Sequence, residues 1–267
     1  MGGAMPATVS LIITTYNWKE ALRLVLLSAL RQSRLPDEII VADDGSRADT
    51  AEIVASMIDD SPVAIVHSWQ EDKGFRAAMS RNRAIAQATG EYVILIDGDM
   101  VLERHFVADH LEAASPGCFV QGSRVLVSES VTGQMLSGVG MTFHPCSRGL
   151  GNRKNTVRCW PLSRLFFRRS CSLRGIRTCN FAFWRGDALL VNGFNEDFEG
   201  WGREDSEFAA RLLHRGVWRR NLKFSAVAYH LFHPLCDRQQ LSANDAILER
   251  TMRDRLDWCA NGIDKYL

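Results

Sequence analysis

Ile94-Leu95-Ile96-Asp97-Gly98-Asp99 is an apolar run that ends abruptly in two carboxylates separated by one glycine. Such a run is typical of a buried strand in a parallel sheet, and open α/β sheets bind ligands at the carboxyl ends of their strands. Two acids at that edge repel each other unless a positive group lies between them. A divalent cation with oxygen ligands is the usual partner, so the stretch predicts a metal site on an α/β fold.

Strand and helix patterns alternate on the amino-terminal side of this stretch. Apolar, β-rich runs occupy residues 9–15, 38–42, 63–69 and 92–96, and helical patterns occupy 18–31, 49–58 and 77–88. Strands that alternate with helices of this length predict a parallel, doubly wound sheet. The handedness of the crossovers then brings the strand ends after Thr15, Ala42 and Ile96 to one edge of that sheet.

The pattern becomes less regular after Asp99. Helices are predicted at 103–114, 187–191, 204–214 and 241–259, extended chain at 119–127, 178–184 and 224–229, and an irregular segment at 128–151. There is no internal repeat and no clear linker. We therefore expect a single α/β domain with a variable carboxyl-terminal half.

A second acidic signature lies about a hundred residues beyond the first, at Gly200-Trp201-Gly202-Arg203-Glu204-Asp205. It places a tryptophan and two adjacent acids at a predicted helix start. A carboxylate in that position can act as a general base beside an aromatic platform. Together the two signatures predict metal-assisted transfer of a group carried on a diphosphate.

Composition limits the class of protein further. The 267 residues are 46% hydrophobic with a net charge of +1, which allows a large core and gives no electrostatic case for nucleic acid. Seven cysteines without a C-x-x-C pair favour a reducing compartment over a disulfide framework. No apolar run reaches about 18 residues, and residues 1–7 read as a frayed or cloning-derived start. We expect a cytoplasmic protein, soluble or peripheral on the inner face of the cell membrane.

Further motifs accompany the two acidic signatures in a fixed order along the chain. They are Ser10-Leu-Ile-Ile-Thr-Thr-Tyr-Asn17, Ala42-Asp-Asp-Gly-Ser46, Gly74-Phe-Arg-Ala-Ala-Met-Ser-Arg-Asn82 and Gly90-Glu-Tyr. With Asp97-Gly-Asp99 they resemble family 2 glycosyltransferases of the GT-A fold, a Rossmann-like, doubly wound mixed sheet. The stretch from Gly193 to Asp205 is similar to the carboxyl-terminal motif of galactosyltransferases and chondroitin-polymerase-like enzymes. Each motif alone is compatible with a turn or helix cap, and their order carries the resemblance.

The resemblance implies that residues 8–100 bind a nucleotide-sugar donor. Thr14 and Tyr16 would line the nucleobase pocket, with the ring of Tyr16 against the base. Asp44 would accept a hydrogen bond from the base imide, which favours uridine and hence a UDP-sugar. The cationic side chains beside the diphosphate would be Lys73, Arg76 and Arg81.

The same resemblance implies a metal site. Asp97 would contact ribose or the metal, and Asp99 would bind the metal directly. His230 would complete the site, with His233 close enough in sequence to be confused with it. Mn²⁺ and Mg²⁺ are the candidate ions, and a site of carboxylate and imidazole suits Mn²⁺ somewhat better.

Residues 101–267 would then bind the acceptor and catalyse transfer. Asp205 matches the family's general base, Glu204 lies beside it, and Trp201 and Asn180 would face the acceptor. One base without a second nucleophile implies direct displacement with inversion. The acceptor would be a glycan or lipid-linked glycan of a bacterial lipopolysaccharide or capsule. Transfer would be non-processive, because membrane helices and a Gln-x-x-Arg-Trp motif are missing from this sequence.

One stretch is not explained by these motifs. Residues 147–177 carry nine Lys or Arg and no Asp or Glu, with aromatic residues among them. Two interpretations stay open. The stretch could contact an anionic membrane surface or an anionic lipid-linked glycan, or it could be a flexible, solvated loop beside the site.

Two other classes of protein share features with this sequence. A nucleotidylyltransferase also uses paired aspartates on a doubly wound sheet, but a Gly-rich phosphate loop would follow its first strand, where this chain has Thr15-Tyr16-Asn17-Trp18. A catalytically inactive sugar-binding protein on the same fold is the other alternative. The retained acids at Asp97, Asp99, Glu204 and Asp205 favour an enzyme.

Overall fold

The computed structural model describes residues 6–140, 142–234 and 238–267. Its first hundred residues follow the predicted alternation closely. The elements are β1 (Val9–Thr15), α1 (Lys19–Ala29), β2 (Glu38–Asp43), α2 (Ala48–Ile58), β3 (Ala64–Trp69), α3 (Ala77–Gln87) and β4 (Tyr92–Asp97). Strands β1, β2 and β4 are covered on both faces, which explains why they read as nearly continuous apolar runs.

The rest of the chain adds shorter elements. They are β5 (Met100–Leu102), α4 (Phe106–Ala113), β6 (Cys118–Gln121), β7 (Val125–Val127), α5 (Glu129–Leu136), β8 (Leu150–Gly151), α6 (Trp160–Arg164), β9 (Arg169–Ser170), β10 (Asn180–Trp184), α7 (Arg185–Leu190), α8 (Glu204–His214), β11 (Trp218–Asn221), β12 (Ala228–His230) and α9 (Leu241–Arg253). The bounds of α8 are those predicted. Single 3₁₀ turns lie at Arg153–Thr156 and Ile263–Tyr266.

Some predicted elements differ from the structure. The extended chain predicted at 119–127 is two strands, β6 and β7, and the irregular segment at 128–151 contains α5. The strand predicted at 224–229 begins only at Ala228, because Phe224 and Ala226 adopt positive φ values of 57° and 45°. The sequence gives no sign of strand β11, because Trp-Arg-Arg-Asn lacks an apolar alternation. The segment is extended because it pairs with β6 and β9.

The main sheet has eight strands in the order β3-β2-β1-β4-β10-β6-β11-β9. Strands β3, β2, β1 and β4 are parallel, whereas β10 runs antiparallel to both of its neighbours. The doubly wound mixed sheet is therefore confirmed. The register pairs Thr14 with both Ala42 and Asp97, which places the predicted strand ends at one edge.

A second sheet of four short strands, in the order β5-β12-β7-β8, lies beside that edge. Strand β5 begins directly after Asp99, and β12 pairs with it in antiparallel register, with His230 opposite Met100. The backbone N–H of Leu231 also donates to the carbonyl of Asp99 at 2.9 Å. This pairing carries the carboxyl-terminal histidines to the end of β4.

Helix α3 ties the two halves of the chain together through Asn82. Its amide donates to the carbonyl of Phe194 at 2.7 Å and to the Glu196 carboxylate at 2.8 Å, and its oxygen accepts from the N–H of Phe194 at 2.7 Å. Gly193 has φ +65°, and a Cβ there would lie 2.4 Å from the Asn82 oxygen. The motifs around Asn82 and Gly193 thus form one buried contact.

The basic segment 147–177 contains short regular elements in this structure. It contains β8, α6 and β9, and β9 pairs with β11 at the edge of the main sheet. Arg158 makes two hydrogen bonds to the buried carboxylate of Asp109, at 2.9 and 2.7 Å. These contacts to the core explain why a strongly charged segment has a defined conformation.

Two other expectations concern cysteines and membrane spans. The cysteines at 118, 146, 159, 171, 179 and 259 are free thiols, while Cys236 and residues 1–5 lie outside the described residues. None of the helices in the described residues combines the length and apolar character that a bilayer crossing requires.

The Asn82 contact leads to a prediction about stability. Asn82→Ala should lower the free energy of unfolding by about 3 kcal/mol, because it leaves buried partners of the amide without a hydrogen bond. Urea denaturation followed by circular dichroism measures this change. Gln87→Ala, at the exposed end of the same helix, removes a single hydrogen bond to Ser68, so this control should cost less, about 1 kcal/mol. Equal losses in the two variants would contradict the anchoring role.

Candidate active site

Asp44 lies just beyond the end of β2 and is 4% exposed. Its carboxylate accepts hydrogen bonds from the side chain of Gln70 at 2.6 Å and from the backbone N–H of Arg76 at 2.7 Å. Burial raises the pKa of Asp44 to about 6, although these hydrogen bonds oppose the shift. The carboxylate is therefore held in a fixed orientation at the edge where the strands end.

The other predicted donor residues lie near Asp44 with different exposures. The ring of Tyr16 is half exposed, and its hydroxyl donates to Asp72 at 3.0 Å. The hydroxyl oxygen of Thr14 is buried without a hydrogen-bond partner among the described residues. Lys73 is exposed and pairs with Glu71 at 2.7 Å. The guanidinium of Arg76 bonds to the carbonyl of Glu71.

Arg81 joins the two acidic signatures. It lies on α3, is 5% exposed, and donates to the Glu204 carboxylate at 2.9 Å. Its second terminal nitrogen lies 3.6 Å from the Asp97 carboxylate, and the guanidinium stands 5.4 Å from the centre of the Phe194 ring. One buried cation thus bridges the end of β4 and the start of α8.

Three side chains form a group that could hold a metal ion. The Asp99 carboxylate lies 3.4 Å from Nε2 of His230 and 3.2 Å from Nε2 of His233. One ligand atom from each residue lies within 4.8 Å of the other two, and Asp99 Oδ1 is buried with no hydrogen-bond partner in the part of the chain that the structure describes. Both histidines therefore reach Asp99, whereas Asp97 lies outside this group and faces Arg81.

The charges at this edge are poorly solvated. Burial and the charge of Asp97 raise the pKa of Asp99 to about 8, and burial lowers the pKa of His230 to about 3. Burial also raises the pKa of Asp97, against the opposing charge of Arg81. A neutral imidazole and a carboxylate with an unused oxygen are suitable ligands for a divalent cation, which would also remove the repulsion between the acids.

Asp205 lies in the first turn of α8, one residue beyond Glu204. Its carboxylate accepts from the backbone N–H and the hydroxyl of Ser206 at 2.6 and 3.2 Å. Burial, followed by the charge of Glu204, raises the pKa of Asp205 to about 7. A carboxylate with a pKa near neutrality is well suited to accept a proton during a reaction.

Trp201 precedes these acids in a loop shaped by three positive-φ residues, Gly200, Gly202 and Arg203. Its ring is 38% exposed, and the guanidinium of Arg238 stands 4.8 Å from its centre. Because the backbone N–H of Gly200 donates to the carbonyl of Phe75 at 3.1 Å, the loop is attached to the segment that precedes α3. The aromatic surface is thus close to both halves of the site.

Asn180 does not join the accessible part of the site. It has no exposed surface, and its amide nitrogen donates to the carbonyls of Ser123 and Ala226 at 2.8 and 3.1 Å. Its oxygen lies 2.8 Å from Nε2 of His110. Direct contact between Asn180 and an acceptor is incompatible with this placement, and the side chain instead holds three chain segments together.

Arg124 is a residue of the site that sequence reasoning missed. It lies between β6 and β7, and its positive charge acts on Asp97, Asp99 and His230. Among the described residues it forms no ion pair within 4 Å, and its guanidinium approaches Cys179 Sγ at 3.8 Å. A single arginine outside any motif gives no sequence signal, and only the pairing of β7 with β12 brings it here.

Two family models and several curated relatives match this chain. A family model described as glycosyl transferase family 2 matches residues 10–174, and one described as the N-terminal domain of galactosyltransferase matches residues 165–234. Chondroitin synthase of Escherichia coli is 28% identical over 240 residues, covering 83% of this chain and 34% of that protein. Validoxylamine A glucosyltransferase of Streptomyces hygroscopicus subsp. limoneus is 30% identical over 227 residues, covering 78% of this chain and 48% of that protein.

A solved structure shows the same fold. TarS of S. aureus, residues 1–349 in complex with UDP, superposes with a TM-score of 0.61 at 17% identity. The match covers 92% of this chain and 64% of that chain. This chain spans about a third to a half of the length of the two relatives named above.

The fold, the family matches and the named relatives define a glycosyltransferase with the GT-A fold. Because the first family model covers more than half of its length, the chain belongs to glycosyl transferase family 2. The expected family, fold and enzyme class are confirmed. The family and the enzyme class argue against the two alternatives, a nucleotidylyltransferase and an inactive sugar-binding protein.

The group of Asp99 and two histidines leads to a prediction about metal binding. Mn²⁺ should raise the melting temperature of the native protein, and Asp99→Asn should abolish this rise while the metal-free protein stays folded. His230→Ala and His233→Ala should each weaken Mn²⁺ binding by more than about ten-fold, as expected for the loss of a ligand. Thermal shift and calorimetry with MnCl₂ measure both effects.

His144→Ala, an exposed histidine elsewhere, is the matched control and should bind Mn²⁺ like the native protein. Native-like Mn²⁺ affinity in Asp99→Asn would rule out this metal site. Native-like affinity in only one histidine variant would identify the other histidine as the ligand.

Proposed function

We propose that this protein transfers a sugar from a UDP-sugar to a glycan acceptor with inversion, using Mn²⁺ or Mg²⁺. The observation that carries the proposal is the bridge from Asp97 through Arg81 to Glu204. Through this bridge the group around Asp99 and the carboxylate of Asp205 belong to one site. Family membership supports a glycosyl transfer, and the site supplies the residues that such a transfer needs.

The donor nucleotide would bind at the edge formed by β1 and β2. Asp44 would accept a hydrogen bond from the imide N–H of uracil, while Tyr16 would lie against the base. The UDP bound by TarS supports a uridine nucleotide, since TarS shares this fold. Arg76, Arg81 and Arg124, whose charges act on Asp44 or Asp99, would contact a diphosphate placed between those two carboxylates.

Asp99, His230 and His233 would hold the divalent ion, and their chemistry fits that role. When bound, the ion would stabilise the negative charge of the departing diphosphate. The raised pKa of Asp99 means that metal binding would displace a proton from its carboxyl group near neutral pH. Lys73 would contribute to the donor site only after leaving its pairing with Glu71.

Asp205 would accept the proton of the acceptor hydroxyl as that oxygen attacks the anomeric carbon. Glu204 would keep Arg81 in place, and the exposed ring of Trp201 would support the acceptor sugar. A single base without a second nucleophile supports inversion. We propose one sugar per encounter and an acceptor among bacterial surface glycans, in line with relatives named as chondroitin synthase and glucosyltransferase.

The pKa of Asp44 leads to a prediction about nucleotide recognition. Uridine should bind about ten-fold more weakly at pH 5 than at pH 7, because only about a tenth of Asp44 is ionised one unit below a pKa of about 6. Calorimetric titration with uridine avoids the phosphate groups, which titrate in the same range. Asp44→Asn should remove the pH dependence, whereas exposed Asp49→Asn should keep it. A flat profile in the native protein would contradict the role of Asp44.

The role of Asp205 leads to a prediction about turnover. Asp205→Asn should lower sugar transfer by at least about a hundred-fold, as expected for loss of a general base. UDP binding with Mn²⁺ should stay within about two-fold of native, since the amide preserves shape. Asp254→Asn, an exposed carboxylate on the far side of α9, is the control for net charge. Parallel loss of UDP binding and transfer would assign Asp205 to the donor site.

A further inference from the structure

Most of the positive charge of segment 147–177 is not paired with carboxylates of the described residues. All nine of its Lys and Arg residues are exposed, although the whole chain has a net charge of only +1. Within the described part of the chain, Arg158 is the one member of this group that pairs with a carboxylate. A local excess of this size favours an anionic partner outside the chain.

Contacts to the core hold this charge in a fixed arrangement. The backbone N–H of Cys159 donates to the carbonyl of Phe224 at 2.8 Å, and the hydroxyls of Ser163 and Ser225 are 2.7 Å apart. Arg219 donates to the carbonyls of Ser172 and Arg174, both at 2.8 Å. Little conformational entropy would therefore be lost when a partner binds.

An exposed apolar side chain, Leu165, lies among the exposed cations of this segment. Arg164, Arg168 and Arg169 are exposed, and Leu165 between them is 68% exposed. Trp218 is 41% exposed on β11, the strand that pairs with β9. The basic face is defined here by four residues, Arg164, Leu165, Arg168 and Arg169.

We infer that the basic face docks this enzyme onto an anionic lipid bilayer. The three arginines would contact lipid phosphates, and Leu165 would enter the boundary between headgroups and acyl chains. The exposed leucine favours a bilayer over a soluble polyanion, because a solvated polyanion offers no apolar layer for it. Phe166 and Phe167 support the face from within, beneath Lys223 and Arg220.

Vesicle co-sedimentation tests this inference with two kinds of change. Replacing Arg164, Arg168 and Arg169 together by Glu should lower partitioning onto phosphatidylglycerol-containing vesicles by at least about a hundred-fold, at roughly five-fold for each arginine. Leu165→Gln, which keeps all charges, should lower it several-fold. Neutral phosphatidylcholine vesicles should bind the native protein weakly, and 0.5 M NaCl should release it from anionic vesicles.

The matched control replaces Arg23, Arg31 and Arg104, which are exposed on another surface, by Glu. This variant has the same net charge as the triple variant of the basic face and should bind vesicles nearly as the native protein does. UDP binding by every variant confirms that the chain is folded. Equal losses in the two triple variants would overturn the inference in favour of non-specific attraction. A second outcome would also overturn the inference, in favour of a soluble polyanion. In that outcome Leu165→Gln binds vesicles as the native protein does, and the protein binds soluble dextran sulfate as well as it binds vesicles.

Discussion

The site depends on one buried cation, Arg81, that stays charged between two acids from opposite halves of the chain. Burying a guanidinium is costly unless nearby carboxylates compensate for its lost hydration, and Asp97 and Glu204 supply that compensation. The bridge also attaches the start of α8, where Glu204 lies, to the end of β4. Because Asn82 anchors the preceding loop from the same helix, α3 positions the carboxyl-terminal half of the chain against the amino-terminal half. The motif that contains Arg81 and Asn82 therefore also connects the two halves of the chain.

The metal group depends on strand register rather than on a loop. Asp99 leads directly into β5, and the pairing of β5 with β12 sets His230 opposite Met100. Side chains alternate between the two faces of a strand, so a slip of one residue would turn His230 away from Asp99. His233 reaches the same carboxylate from beyond the end of β12 and has a less rigid support. Because His230 lies on a paired strand and His233 lies beyond its end, a sequence motif identifies His230 more readily than His233.

The amino-terminal half could be predicted from sequence almost residue by residue, because its strands are buried on both faces and its helices have a regular apolar side. The positions of Asp44, Asp99 and Asp205 followed from their motifs. Pairings between distant segments were not predictable. Strand β11 has no strand pattern of its own and is paired with β6. The basic segment has no clear structural pattern in the sequence, and the hydrogen bond from Arg158 to Asp109 attaches it to the core. Asn180 illustrates the same limit, since an asparagine expected to face the acceptor is buried and holds chain segments together. Arg124 belongs to no motif and joins the site through strand pairing alone.

The antiparallel strand β10 lies beside β4 in the middle of the main sheet, yet it is made long after β4. Ribosomes add about 5–20 residues per second, so some eighty residues of nascent chain separate the two strands by on the order of ten seconds. During that interval β4 has β1 on one side and an open, apolar edge on the other. Such an edge is a template for pairing with other chains. Until β10 is inserted, the growing polypeptide therefore carries a strand edge that can pair with other chains.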